Sequence, residues 1–265
     1  MPGLSWHCDL NEYLMERNSP HNKSELLFGI RPIIEAIEAG KEIDKILVQK
    51  EQSSPLMNEL LQAAFHHKVP VQRVPVEKLN RITKKNHQGA ICFMSSIVYA
   101  SLDNVISDCF QSGTVPMILV LDRITDVRNF GAIARTAECM GVHAIVIPSK
   151  GAAQINSDAV KTSAGALNHI PVCREESLIK TIKYLKESGL SVIACTEKAQ
   201  KTIAQAAYND PVAIVMGSEE DGISDEIIKK ADEIVRIPMV GKIGSLNVSV
   251  AAGMILYEAV RQRGV

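Results

Sequence analysis

Ile237-Pro-Met-Val-Gly-Lys-Ile-Gly-Ser-Leu-Asn-Val-Ser-Val-Ala-Ala-Gly253 joins a short apolar strand to a glycine-bearing loop, and the loop to a helix with small, polar first turns. Gly241 and Gly244 let the backbone turn and approach a ligand with no Cβ in the way. Ser245 or Asn247 stands where a helix cap is needed, and the first N–H groups of that helix are free donors. Ser249, Ala251, Ala252 and Gly253 keep one helix face thin. A mid-helix glycine costs roughly 1 kcal/mol against alanine, so Gly253 implies a compensating contact. Taken alone, the stretch reads as a well-capped C-terminal helix.

Two other stretches share its pattern of strand, small-residue loop and helix. Met117–Leu121 leads through Asp122-Arg-Ile-Thr-Asp-Val-Arg into Asn129-Phe-Gly131-Ala-Ile-Ala-Arg135. Val212–Val215 leads into Met216-Gly217-Ser218-Glu219-Glu220-Asp221-Gly222. Further strands are expected at Ala144–Ile147, Ser191–Thr196 and Glu233–Ile237, with helices between them. Such alternation predicts a parallel sheet covered by helices on both faces. A dinucleotide-binding fold would carry G-x-G-x-x-G after its first strand, and none follows Leu121. The glycine loops come late, at 217–222 and 241–244, which places a ligand pocket toward the C-terminal half of the sheet.

Upstream, residues 24–98 form a separate α/β pattern. Leu26, Leu27, Ile30, Ile33, Ile34 and Ile37 recur at helical spacing up to Gly40. Strands are expected at Ile43–Val48, Val69–Val74 and Ala90–Val98, and helices at Pro55–His66 and Val76–Ile82. Residues 1–23 lack periodicity and read as a flexible tail; residues 99–114 read as a linker with a weakly amphipathic stretch near Leu102 to Phe110. The second domain is expected over 115–265.

The 265 residues include 46% hydrophobic side chains, enough for a sizeable core, and carry a formal net charge of -1. A near-neutral chain binds nucleic acid only through a local basic patch. Arg81, Lys84, Lys85, His87 and Gln88 form the best such patch, with Arg31 a contributor. Basic and amide groups beside Gly89 suit phosphates and unpaired bases, and they also fit a solvated loop. The six cysteines show no C-x-x-C spacing, so neither a zinc site nor a redox pair is signalled, and they read as small core residues. No apolar run approaches a membrane span, and no signal-peptide pattern opens the chain. The expectation is a cytoplasmic protein without a metal.

The three motifs, in this order, resemble the SpoU family (SPOUT superfamily) of RNA ribose 2′-O-methyltransferases. Within it they are most similar to the RlmB-type branch, which methylates a guanosine of 23S ribosomal RNA. The resemblance covers the chain from about Phe28 onward. It implies a SPOUT-type parallel sheet with a deep C-terminal trefoil knot, preceded by a small L30e-like RNA-binding domain over 24–98. It also implies S-adenosylmethionine as cofactor, RNA as substrate and a homodimer whose sites are completed by the partner subunit. The catalytic residues it implies are Asn129, Arg135, Glu219 and Asn247, and the cofactor-binding ones Gly217, Ile237, Met239, Gly241, Ser245 and Leu246. Arg135 fits either a general base or a clamp on phosphate, the latter favoured because a guanidinium has a pKa above roughly 12. Asn129 fits a helix cap or a substrate contact, and Glu219 fits a catalytic orienter or a cap for the helix near Ser224. Transfer RNA as substrate, or a non-catalytic RNA-binding protein on the same fold, are the alternatives. One departure from the family is visible: Val127 follows Asp126 where the family commonly carries proline.

Overall fold

Gly29, at φ +89, separates two elements that share one run of apolar side chains. Leu26 and Leu27, expected in the first helix, instead form a strand, β1 (Leu26–Phe28), and helix α1 (Ile30–Glu38) begins only after the glycine. The reason is non-local: β1 pairs antiparallel with a strand more than sixty residues later, Leu27 opposite Cys92. The structure, a computed structural model, describes residues 26–264; the expected tail over 1–23 and Cys8 lie outside them.

The chain continues through β2 (Ile43–Gln49), α2 (Pro55–His66), β3 (Val71–Val74), α3 (Val76–Ile82) and β4 (Ala90–Met94). Helix α2 starts where Pro55 needs no N–H partner and the Ser54 hydroxyl accepts from Met57 N at 3.1 Å. The four strands lie in the order β1-β4-β2-β3. Ile33, Ile37, Ile46, Val48, Met57 and Leu60 are buried together between this sheet and α1 and α2.

The connecting segment at 99–114 is more than a linker. Leu102–Gln111 is a helix, α4, capped by Ser101 and buried along Leu102, Ile106 and Cys109. Its apolar face packs onto the sheet that follows.

That sheet has six parallel strands in the order β10-β8-β9-β5-β6-β7. They are β5 (Met117–Asp122), β6 (Ala144–Pro148), β7 (Val172–Glu175), β8 (Ser191–Cys195), β9 (Val212–Gly217) and β10 (Glu233–Val235). Between and after them come α5 (Val127–Cys139), α6 (Ser157–Thr162), α7 (Leu178–Glu187), α8 (Asp225–Ile228) and α9 (Val248–Gln262). β5 and β9, buried at every position, are neighbours at the centre, as near-continuous apolar runs in a parallel sheet require. Met117, Leu119 and Leu121 face α5 and α9, whereas Ile118 and Val120 face α4 and α7. β7 was absent from the expected strands, since only Val172 and Cys173 of its four residues are buried. Cys92, Cys109 and Cys173 are buried as expected of small core residues, but Cys139 is exposed and Cys195 half-buried.

Polar contacts tie the two sheets together. Arg174 of β7 donates to the carbonyls of Ile43 (2.8 Å) and Asp44 (3.1 Å) and lies over the Tyr99 ring at 4.1 Å. The Tyr99 hydroxyl donates to Asp44 Oδ1 at 3.1 Å. Burial pushes the Asp44 carboxyl above its ordinary range, while Tyr99, Lys45 and Arg174 draw it down.

Candidate active site

Parallel strands end together, so the loops after β5, β8, β9 and β10 meet at one edge of the sheet. The centre of that edge, between β5 and β9, is where the strand order reverses, the usual place for a ligand in an open α/β sheet.

A cavity of about 480 Å³ opens beside it. Gly217, Ile237, Met239, Ser245 and Leu246 line it, five of the six expected cofactor-binding residues. Gly241 does not; it faces an adjoining apolar depression with Val240 and Ile243. Among the described residues, no backbone hydrogen bond is made by residues 237–246, so their N–H and C=O groups are available to a ligand or a partner. Thr196, Glu197 and Lys198, after β8, also line the cavity and were not singled out from sequence. Only their position at the end of a strand next to β9 could have marked them. Cys195 is there too, and burial pushes its thiol up to about 12, which keeps it protonated and inert.

The glycines differ in their surroundings. A Cβ on Gly217 would sit 2.1 Å from the Gly222 carbonyl carbon, so this glycine of the cavity wall also lets its own loop fold back on it. Gly241 and Gly244 have open space where a Cβ would stand. Gly131 is where α6 approaches α5, with Thr162 Cβ at 2.7 Å and Ala159 O at 3.0 Å from a built Cβ.

A second cleft of about 330 Å³ adjoins the cavity and shares Ser218, Glu219, Glu220, Asp221 and Val248 with it. Three of the four expected catalytic residues meet at this boundary. Glu219 Oε1 accepts from Asn129 Nδ2 (3.2 Å), Asn247 Nδ2 (2.6 Å) and Val248 N (3.1 Å). Asn247 Nδ2 also donates to Asn129 Oδ1 at 3.0 Å. Each residue is set by its element. Asn247 caps α9, its Oδ1 accepting from Ser249 N at 3.0 Å. Glu219 thus stands at the start of α9, where a carboxylate is favoured by the helix dipole, and not at the helix near Ser224. Asn129 is not the cap of α5: Asp126 is, accepting from Asn129 N at 2.7 Å. That cap fixes the loop although Val127 replaces the family's proline. Freed from capping, the Asn129 amide reaches across to Glu219.

Arg135 stands apart. It lies six residues beyond Asn129 on α5, about 9 Å along the axis, and its side chain is exposed. Among the described residues it forms no ion pair, with Glu138 one turn on or with any other carboxylate.

Arg123 was missed from sequence. At φ +59 it is held in a left-handed backbone by what its guanidinium contacts. It donates to Asp122 Oδ1 (3.2 Å), Asp221 Oδ2 (3.1 Å) and Gly222 O (3.2 Å). It therefore holds the loop carrying Glu219 against the end of β5.

The model of the SpoU rRNA Methylase family matches residues 116–257, and that for RNA 2'-O ribose methyltransferase substrate binding matches residues 26–99. The chain belongs to the SpoU rRNA methylase family. A TrmH family tRNA/rRNA methyltransferase of Bacillus subtilis is 32% identical over 239 residues, 90% of this chain and 96% of the relative. One of Staphylococcus aureus is 37% identical over the same length and shares. Among solved structures, the SpoU methyltransferase AviRb from Streptomyces viridochromogenes superposes with a TM-score of 0.57 at 25% identity, covering 90% of this chain and 89% of that one. The same methyltransferase in complex with AdoMet gives a TM-score of 0.56 at 25% identity, over 90% of each chain. The SpoU chain described here is accordingly an RNA methyltransferase of that family, and its motif residues occupy the one edge of the sheet where three catalytic candidates converge.

In the N-terminal sheet of this SpoU chain, the expected basic patch divides. His87 is 9% exposed, with Nδ1 accepting from Gly89 N and Nε2 therefore donating to Asn80 Oδ1, each at 3.0 Å. It holds its loop and is not presented to RNA. Gln88 is exposed, but its Oε1 accepts from Ile30 N at 3.4 Å, at the start of α1. Arg31, Arg81, Lys84 and Lys85 are exposed. Among the described residues, no cluster of three or more metal-ligating side chains is formed and no helix is long and apolar enough to cross a membrane.

Proposed function

We propose that this chain transfers a methyl group from S-adenosylmethionine to a ribose 2′-hydroxyl of RNA, with a guanosine of 23S ribosomal RNA as the favoured target. The observation that carries this reading is the Asn129–Glu219–Asn247 network, standing between a cavity and an open cleft that share Glu219 and Val248. The cavity suits the cofactor: Ile237, Met239 and Leu246 offer apolar surface to a purine, and unpartnered backbone groups at 237–246 can read its edge. When bound, S-adenosylmethionine supplies an electrophilic methyl group.

The protein's own residues then have positioning work. The amides of Asn129 and Asn247, fixed by Glu219, orient groups at the cavity mouth. Arg135 clamps an RNA phosphate and stabilises negative charge developing on the ribose oxygen, whose proton passes to water in the open cleft as the methyl–oxygen bond forms. Arg31, Arg81, Lys84 and Lys85 form a phosphate-binding patch on the L30e-like domain. The C-terminal knot, the cytoplasmic location and the homodimer belong to the same reading. For the dimer, Val250, Met254 and Tyr257 expose one apolar face of α9, 52%, 41% and 61% exposed, beside the fully exposed Val240. Gly253 lies on this face with only Thr136 Cγ2 near, at 3.7 Å, so nothing inside the chain requires it. A partner helix packed there supplies the compensating contact. Light scattering is expected to give twice the chain mass, and a monomer at all concentrations contradicts the dimer.

The target is tested by incubating the protein with labelled S-adenosylmethionine and unmodified transcripts of 23S ribosomal RNA or transfer RNA. Label is expected in the 23S transcript. Label in transfer RNA alone favours the second reading, which the names of the relatives also allow. Label in neither, with cofactor bound, favours a non-catalytic RNA-binding role.

A further inference from the structure

Four basic side chains, Lys45, Arg73, Lys150 and Arg174, line a cleft of about 500 Å³ between the two sheets, and Asp44 is the only carboxylate in its wall among the described residues. This concentration of charge stands out in a chain of net charge -1. The Asp44 carboxylate is committed to the Tyr99 hydroxyl, at 3.1 Å. Arg174 spends only Nη1 on the carbonyls of Ile43 and Asp44, and its Cζ lies 4.1 Å over the Tyr99 ring. Its planar fork is thus fixed in direction, with N–H groups left for a further acceptor.

The cleft borders the candidate active site. Gly151 lies in the wall of both this cleft and the one containing Asn129 and Glu219. In the other direction, Lys150 is shared with a groove that also holds Lys68 and Phe65, with Glu176 as its carboxylate. Phe65 is 82% exposed, which burial of apolar surface does not explain. An exposed ring among cations matches the way proteins hold single-stranded nucleic acid, with charges tracking phosphates and aromatic faces taking bases. The basic patch read from sequence lies elsewhere. Its loop meets the far end of β2, where Gln49 N donates to Gly89 O, whereas Asp44 and Lys45 stand at the near end, about 17 Å away at the usual strand rise.

We infer that this interdomain cleft is a second RNA-binding surface, in which Arg73, Lys150 and Arg174 hold backbone phosphates flanking the reactive nucleotide and Phe65 stacks a base. The inference rests on the RNA methyltransferase reading and adds the path by which the strand leaves the active site. Arg73, Lys150 and Phe65 are exposed, so their replacement leaves the core intact.

The test measures binding of unmodified 23S ribosomal RNA and transfer RNA transcripts at several salt concentrations, with S-adenosylmethionine titration as the check on folding. The Arg73→Ala/Lys150→Ala double variant is expected to lose about tenfold in RNA affinity, with the slope of log affinity against log salt reduced by about 1.4, two contacts' worth for a single strand. Phe65→Ala is expected to weaken binding by about tenfold with the slope unchanged, because stacking releases no counterion. Cofactor affinity stays at the wild-type value in both variants. Wild-type RNA affinity and slope in the double variant overturn the inference while leaving the methyltransferase reading intact. If the unaltered chain binds neither transcript, the RNA reading itself fails and the cleft with it.

Discussion

Arg135→Ala is expected to reduce methyl transfer by about 10²–10³-fold or more while leaving affinity for S-adenosylmethionine within about twofold of wild type. Arg135 is exposed and absent from the wall of the 480 Å³ cavity, so nothing that would hold the cofactor is lost. It forms no ion pair among the described residues, which leaves its guanidinium for the substrate. A guanidinium acts by charge and by its planar fork of donors rather than by taking a proton. Arg135→Lys is also expected to fail, since a compact ammonium does not reproduce a two-point contact with phosphate. Single-turnover transfer and calorimetric cofactor titration are the measurements. A fully active lysine variant shows that charge alone suffices, and a fully active alanine variant returns Arg135 to the ordinary surface.

Glu219→Ala is expected to act on both rate and stability. It removes the shared acceptor of Asn129 Nδ2, Asn247 Nδ2 and Val248 N. An N–H left without a partner at the start of α9 costs about 1–3 kcal/mol, and the two asparagine amides lose the group that aims them. Transfer is expected to fall about 10²-fold. Glu219→Gln keeps an accepting oxygen in the same place and is expected to recover most of the stability. Denaturant unfolding and transfer rates separate the two effects. An alanine variant with unchanged rate removes the network from the mechanism; a glutamine variant with full activity shows that Glu219 positions and that its charge is not used.

What could be read from the sequence was what depends on chain-local pattern. Strands β5 and β9 are uninterrupted apolar runs, α2 has its proline and its serine cap, and the loop before α9 has its asparagine cap, so each was legible in place. Because parallel strands end at one edge, knowing the strands also brought Asn129, Glu219 and Asn247 into one neighbourhood. The rest depended on partners distant in sequence. Leu26 and Leu27 continue the spacing of α1, yet pairing with β4 makes them a strand. The buried face of α4 exists only because a sheet lies beneath it. His87 beside two lysines looks like an RNA ligand until Asn80 and Gly89 are seen around its ring. Gly217 lines the cavity as expected of it, but the close approach of the Gly222 and Ile223 backbone to the same glycine has no local signature. Arg123 and the interdomain cleft carry no local signature, since their partners are brought together from both sheets or from strand ends nearly a hundred residues apart.

The proposed methyl transfer occurs at a ribose oxygen. Its most direct test is to incubate the wild-type protein with S-adenosylmethionine and unmodified 23S ribosomal RNA, digest the product to nucleosides and determine where the new methyl group sits by mass spectrometry. A single 2′-O-methylated nucleoside is expected, absent when Arg135→Ala protein is used. A methyl group on a base, or a ribose methyl formed equally well by the Arg135→Ala protein, would contradict it.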